Sequence, residues 1–391
     1  MKKDSSNPKT LVATILSMSL LTVMAGAAVA PALNAVSAHF AAANPLLIQF
    51  VVSMPALFII LTNLCFPMLC RMMRTRTLAL CGLLLYVVAG SGAFFADNIV
   101  MLLVLRALLG VSVGMIMPLS TGLLAYYFPP EEQARLMGLA AAMNQLGGVV
   151  ATFLAGMLAA VSWNYAFLVY LLGLIAVVLV ALFLPNESLS KNDPKTLNSK
   201  LSTLNLLKKF HPSVVGMFLV MILFFIYPTN FALMASGRLS VTGITLVMMG
   251  LDVVAFLVGL VFGAMMKRFA AQMKYAAPIG FMAGYLCLGG GSSLTLMLIG
   301  SALVGVANGI GVPYLNTIGS VKAGKEAATT VMPLLSTALY LGQFLSPLIV
   351  SPIASAANLS PYMVGAFIAV VYLLQAIFTR KGQMLPQKVG G

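Results

Sequence analysis

Charge is scarce in this sequence. Eight residues are acidic, two are histidine, and charged residues make up 8% of the chain, against about 25% in an ordinary soluble domain. Apolar residues take their place at 61%, more than a soluble core of this length needs, so a soluble enzyme is excluded. Cysteine is equally sparse. Cys65, Cys70, Cys81 and Cys287 lie in or beside apolar runs without metal-ligand spacing, so neither a zinc site nor a disulfide framework is expected. The phosphate-cradling loop of an ATPase is missing. No cofactor or metal is expected, and any energy source must be something other than ATP.

Long apolar runs are what remains. Sixty-one per cent of 391 residues is about 238, enough for roughly twelve spans of about 20 residues. The alternating short segments of a membrane barrel do not occur. The fold class is therefore an all-α membrane protein with twelve transmembrane helices, expected near 11–37, 46–69, 77–96, 99–127, 136–161, 165–184, 213–236, 242–266, 275–291, 294–318, 328–350 and 360–379. The first run, behind Lys2 and Lys3, imitates a signal peptide. It is too long for one, and further spans follow, so it is read as an uncleaved helix.

Twelve spans put both termini on one side. Twenty of the 22 basic residues then fall on that side: Lys2, Lys3, Lys9, Arg71, Arg74, Arg76, Arg135, five lysines of 191–209, Lys267, Arg268, Lys274, Lys322, Lys325, Arg380, Lys381 and Lys388. The positive-inside rule makes it the cytoplasm. This grouping between spans also argues against nucleic acid, despite a net charge of +14. An inner (plasma) membrane location and a monomer are expected.

The one long polar segment, 185–212, divides the chain into 1–184 and 213–391, each with six spans. Part of it, 196–210, spaces Leu197, Leu201, Leu204 and Leu207 as an interfacial helix would; a partly ordered linker reads equally well. The halves look like copies, more than chance similarity of apolar sequence would give. Arg106–Pro118 reads RALLGVSVGMIMP and Ser301–Pro313 reads SALVGVANGIGVP. Ala107, Leu108, Gly110, Val111, Gly114 and Pro118 each recur 195 residues later, as does Leu146-Gly147 in Leu341-Gly342. Parallel repeats imply two pseudo-symmetric bundles with a substrate site near mid-membrane between them.

These words resemble the major facilitator superfamily over nearly the whole chain. Arg106-Ala-Leu-Leu-Gly110 is similar to its R-x-x-x-G motif on helix 4. Gly26–Leu33 resembles the first-helix motif of drug:proton antiporters, and Trp163-Asn-Tyr-Ala-Phe167 the word opening helix 6, with Asn for Arg. The departures matter. The cytoplasmic loop motif keeps Arg71 and Arg268 as gate residues, but Cys70 and Lys267 replace its acids. The antiporter motif on helix 5 survives only as Gly148-x-x-x-Thr152-Phe153-x-x-Gly156, without Pro; a Gly-x-x-x-Ser-Pro version stands at 342–347. The resemblance implies a secondary transporter, not an enzyme.

Two charges stand out within the spans. Asp252 lies 14 residues after Arg238 and 15 before Lys267, about 22 Å from each along a helix, near mid-membrane. A carboxylate there costs about 2.5 kcal/mol or more. It either exchanges a proton coupled to transport, ties up a polar neighbour, or binds a cationic substrate. Arg106 is nine residues from Asp97 and cannot shed its charge. It either faces the cavity or supports packing through carbonyls. Asn144, Gln145, Tyr227, Asn230, Asn308 and Asn316 complete the candidate cavity, and each alone also fits a helix–helix hydrogen bond. So apolar a site favours a lipophilic or amphipathic small-molecule substrate, exported against protons by alternating access. The alternative is a symporter or facilitator of a small organic anion read by Arg106; a membrane receptor or scaffold is the third reading.

Overall fold

The computed structural model describes residues 8–128, 130–187, 203–269, 272–291 and 293–379. Their helices, in chain order, are α1 (Pro8–His39, interrupted at 28–32), α2 (Pro45–Met72), α3 (Thr75–Gly92), α4 (Ile99–Tyr127), α5 (Pro130–Ala159), α6 (Trp163–Phe183), α7 (Thr203–Ala235), α8 (Val241–Phe269), α9 (Met273–Gly289), α10 (Leu294–Gly319), α11 (Val331–Ala357) and α12 (Pro361–Phe378). Eleven of them are long and apolar enough to cross a bilayer. The twelfth, α9, has 17 residues and packs on α10 and α12. The result is the expected all-helical, twelve-span chain, and no strand occurs among the described residues.

Helix entries follow local chemistry. Asn44 accepts from the Leu46 amide at 2.9 Å and Asn98 from the Met101 amide at 2.8 Å; these are N-caps that satisfy otherwise orphaned donors. Two boundaries depart from hydropathy. α7 begins at Thr203, inside the segment expected as a linker, because Leu204 and Leu207 extend its helical apolar spacing. The rest of the expected interfacial helix, 196–202, lies outside the described residues. Helical backbone also continues from Leu294 to Ala357, through the polar stretch that separates α10 from α11, although Pro313, Pro333, Pro347 and Pro352 each interrupt its hydrogen-bond ladder. That stretch is rich in Ala and Lys, good helix formers, so a loss of hydropathy there does not mean a loss of helix.

Two compact units emerge. One holds Met1–Pro194 with Ala232–Leu246, the other Lys195–Phe231 with Val247–Gly391. The sequence repeat is a packing repeat inside them. In the first unit, a Cβ on Gly110 would collide with the Pro55 backbone of α2, and one on Gly147 with the Leu20 carbonyl of α1. In the second, a Cβ on Gly305 would stand 2.7 Å from the Leu251 carbonyl of α8, and one on Gly342 2.5 Å from the Phe218 carbonyl of α7. The repeated glycines are therefore the points where backbones touch, as in other small-residue membrane packings. Gly122, with nothing within 4 Å of its would-be Cβ, makes a control. Gly110→Val and Gly305→Val are each expected to cost about 1–3 kcal/mol or more by overpacking, read as a lowered thermal midpoint, while Gly122→Val stays near wild type.

Polar side chains tie helix ends within each unit. The Thr75 hydroxyl donates to the carbonyls of Pro185 and Glu187 at 3.1 and 3.0 Å. Lys274, only 6% exposed, donates to the carbonyls of Ala376 and Thr379 at 2.9 and 3.3 Å. A cation there suits the negative end of α12, so this lysine caps that helix. Glu187 also stands beside Tyr126 and Tyr127, past the apolar span of α4. Its charge, then burial, pushes the Tyr126 phenol up; burial, then that charge, does the same to Tyr127. At the far end of α1, His39 stacks on Trp163 at 4.6 Å, and Phe40 meets the same indole edge-on at 5.2 Å.

Candidate functional site

Arg106 is 1% exposed, and its guanidinium is engaged by protein. Nε donates to the Val51 carbonyl at 2.7 Å, Nη1 to the Tyr170 hydroxyl at 2.7 Å and Nη2 to the Ala25 carbonyl at 2.6 Å. The Tyr170 hydroxyl donates in turn to the Ala25 carbonyl at 3.0 Å.

Both carbonyls are vacated by helix defects. In α2 the partner of Val51 would be the amide of residue 55, but Pro55 has none. The regular turn of α1 stops at Ala27, before the 3-10 turn Ala30–Ala32 around Pro31. The last four carbonyls of a helix have no partner within it, and Ala25 is among them. One planar cation with forked donors therefore closes two backbone gaps from a third helix. Tyr86 backs the cluster edge-on to Tyr170 at 5.5 Å. Of the two roles expected for Arg106, these contacts belong to packing support through carbonyls.

The second unit carries tyrosines where the first carries arginine. Ser301 stands at the repeat position of Arg106. Its hydroxyl shares a 2.7 Å hydrogen bond with that of Tyr227, which is 1% exposed and stacked on Phe231 at 4.6 Å. The Tyr285 hydroxyl donates to the Leu223 carbonyl, and the Tyr285 ring stacks on Tyr362 at 6.0 Å. Around Pro228, α7 takes further side-chain donors. The Ile222 carbonyl accepts from Ser346 at 2.8 Å, and the Ile226 carbonyl from Asn230 at 2.9 Å.

Asp252 is partly exposed, midway along α8, close enough for its charge to act on Tyr227. Asp252, Tyr227 and Ser301 thus bring together α8, α7 and α10. Asn308 lies two turns beyond Ser301 on α10, and its Oδ1 is buried without a hydrogen-bond partner.

The other expected residues are more dispersed. Asn144 accepts from the Thr22 hydroxyl at 2.8 Å, an α5–α1 tie. Gln145 and Asn316 are half-buried. Asn230 donates to its own helix. Arg71 is exposed at the end of α2, and Arg268 at the end of α8 lies over the adjacent Phe269 ring at 5.7 Å.

The sequence reading missed Tyr170, Tyr86 and Ser301. Ser301 had a signal, since the repeat aligns it with Arg106. Pro55 likewise announces a free carbonyl at Val51. Nothing in the pattern marks Tyr170 as the third partner.

The family model described as Major Facilitator Superfamily matches residues 15–347. The chain belongs to the Major Facilitator Superfamily. Membership makes it a multi-pass membrane protein of a transporter family, not an enzyme. Among individual proteins, it is 26% identical over 155 residues to Uncharacterized transporter YebQ of Escherichia coli (strain K12), covering 39% of this chain and 34% of that one. It is 32% identical over 115 residues to Multidrug resistance protein B homolog of Mycobacterium tuberculosis (strain ATCC 25618 / H37Rv), covering 29% of this chain and 21% of that one. These matches span about a third and a fifth of the relatives' own lengths. A solved D-xylose-proton symporter superposes with a TM-score of 0.79 at 14% identity, covering 97% of this chain and 98% of that one. That likeness agrees with the twelve-helix, two-bundle fold of the superfamily.

Proposed function

We propose that this superfamily member exports lipophilic or amphipathic small molecules by alternating access, driven by protons, and that Asp252 carries the coupled proton. The observation that supports this most is Asp252 itself, a carboxyl half-way along an apolar span, within electrostatic reach of Tyr227 in the Tyr227–Ser301 pair. An ionised carboxylate is costly at that depth. Binding a proton neutralises it and shifts the balance between inward- and outward-facing states, which couples two fluxes through one group. The partial match to a multidrug resistance protein homolog agrees in kind. The proposal includes an inner-membrane location with both termini in the cytoplasm, a monomeric unit, and gate roles for Arg71 and Arg268. The organic-anion alternative draws little support from Arg106, whose donors are already held by protein oxygens.

The test is flux in proteoliposomes with a lipophilic dye such as ethidium. One-to-one exchange across a one-unit pH gradient sustains about tenfold accumulation on the acid side. Accumulation that collapses with the gradient is the expected result. Transport indifferent to pH and gradient overturns the proposal.

A further inference from the structure

The two repeats keep their packing glycines and change the polar residues beside them. Arg106 becomes Ser301, and Val113 becomes Asn308. Selection for packing alone explains the glycines and leaves these exchanges unexplained.

Helix geometry shows which way Asn308 faces. At about 100° per residue and counting from Ser301, Gly305 and Gly309 lie near +40° and +80°. Their would-be Cβ atoms meet the Leu251 and Ala255 carbonyls of α8. Gly311 lies near −80°, where its would-be Cβ meets Val220 of α7 and Ala277 of α9. Asn308, near −20°, falls between these directions. It shares the seam of α7, α8 and α10 with Ser301, Tyr227 and Asp252. Since Gly305 faces Leu251, Asn308 sits only about one turn deeper than Asp252 along this seam.

A buried acceptor left unpaired is expensive, about 1–3 kcal/mol, and few persist in native proteins without a purpose. The Asn308 Oδ1 is one of nine such side-chain oxygens among the described residues; of the two in the second unit, Asn308 and Gln375, it is the one on this seam. A carboxylate, a second acceptor at nearly the same depth and the stacked Tyr227–Phe231 pair all favour positive charge, and the acceptors favour N–H donors.

We infer that this seam of the second unit is a recognition subsite for an organic ammonium that carries N–H groups, with Asp252 taking its charge and the Asn308 Oδ1 one N–H. The inference rests on the reading of Asp252 as part of the transport path and names the class of compound carried. The first unit, where Val113 holds the matching place and Arg106 is tied to backbone, supplies no second copy of this subsite.

The test is calorimetric binding to the full-length protein in detergent, with 4-phenylbutylammonium and its N,N,N-trimethyl analogue as probes. The trimethyl compound keeps the charge and loses every N–H. Wild type is expected to prefer the N–H form about tenfold, the effect of one hydrogen bond to a charged group. Asn308→Val, which installs the residue of the first repeat, brings the two probes to parity without weakening the trimethyl compound. Asp252→Asn weakens both. Asn308→Asp keeps the acceptor and the preference, and stands in if Asn308→Val does not fold. Equal binding of the two probes by wild type, a preference retained in Asn308→Val, or one lost in Asn308→Asp overturns the inference. No gradient is present in this measurement. Failed proton coupling with intact probe preference refutes the proposed energetics alone, and the reverse outcome refutes the subsite alone.

Discussion

Arg106→Met is expected to lower stability by about 2–4 kcal/mol, seen as a fall of several degrees in the thermal midpoint of the purified protein. Three charge-assisted hydrogen bonds go, each worth about 1.5–3 kcal/mol. The gain from no longer burying a charge offsets part of that loss. The damage is unequal. Tyr170 still donates to the Ala25 carbonyl, so Val51 is the backbone acceptor that loses its recorded donor. This gives a sharp second-site test. Pro55→Ala restores an amide at the position where α2 lacks one, and the double variant Arg106→Met/Pro55→Ala is expected to recover part of the lost stability. Non-additivity of that sign is what a shared acceptor produces. If Arg106 instead served as an anion receptor in open water, Arg106→Met would fold as well as wild type, and Pro55→Ala would not rescue it.

Asp252→Asn is expected to abolish gradient-driven accumulation while retaining exchange of labelled for unlabelled dye at saturating dye concentration. Asparagine matches the size of a protonated aspartic acid and has no proton to release in this range. The variant is therefore fixed in the neutral state, and each pH unit of gradient stops contributing its roughly 1.4 kcal/mol. The sign follows from the cycle. Neutral Asp252 is the form that protons favour, so the variant behaves as wild type does in acid and does not respond to further acidification. A variant that still concentrates dye as wild type does refutes the role of Asp252 outright.

Much of the architecture was legible because membrane insertion simplifies the code. Water is excluded, so each span must be helical and apolar for its whole depth, and spans could be read from composition alone. The repeated Gly110/Gly305 and Gly147/Gly342 words were legible too, and the structure turns each into a backbone contact. Helix limits in polar sequence were less so. α7 starts earlier than hydropathy indicates, and helix persists between α10 and α11, because hydropathy reports depth in the bilayer and propensity reports backbone. The role of Arg106 stayed open for a different reason. A buried arginine needs acceptors, but the sequence cannot say whether they are carbonyls or cargo. The carbonyls of Val51 and Ala25 come from helices 55 and 81 residues away, and only folding brings them to it.

Trp163 is the chain's one tryptophan, and it sits against His39 and Phe40 where α1 ends and α6 begins. Intrinsic indole emission is therefore a local reporter confined to the first unit. A spectral change on adding cargo signals rearrangement at that corner, and a silent spectrum is compatible with full occupancy of the α7–α8–α10 seam. An indole-based assay of binding at that seam requires a second tryptophan placed in the other unit.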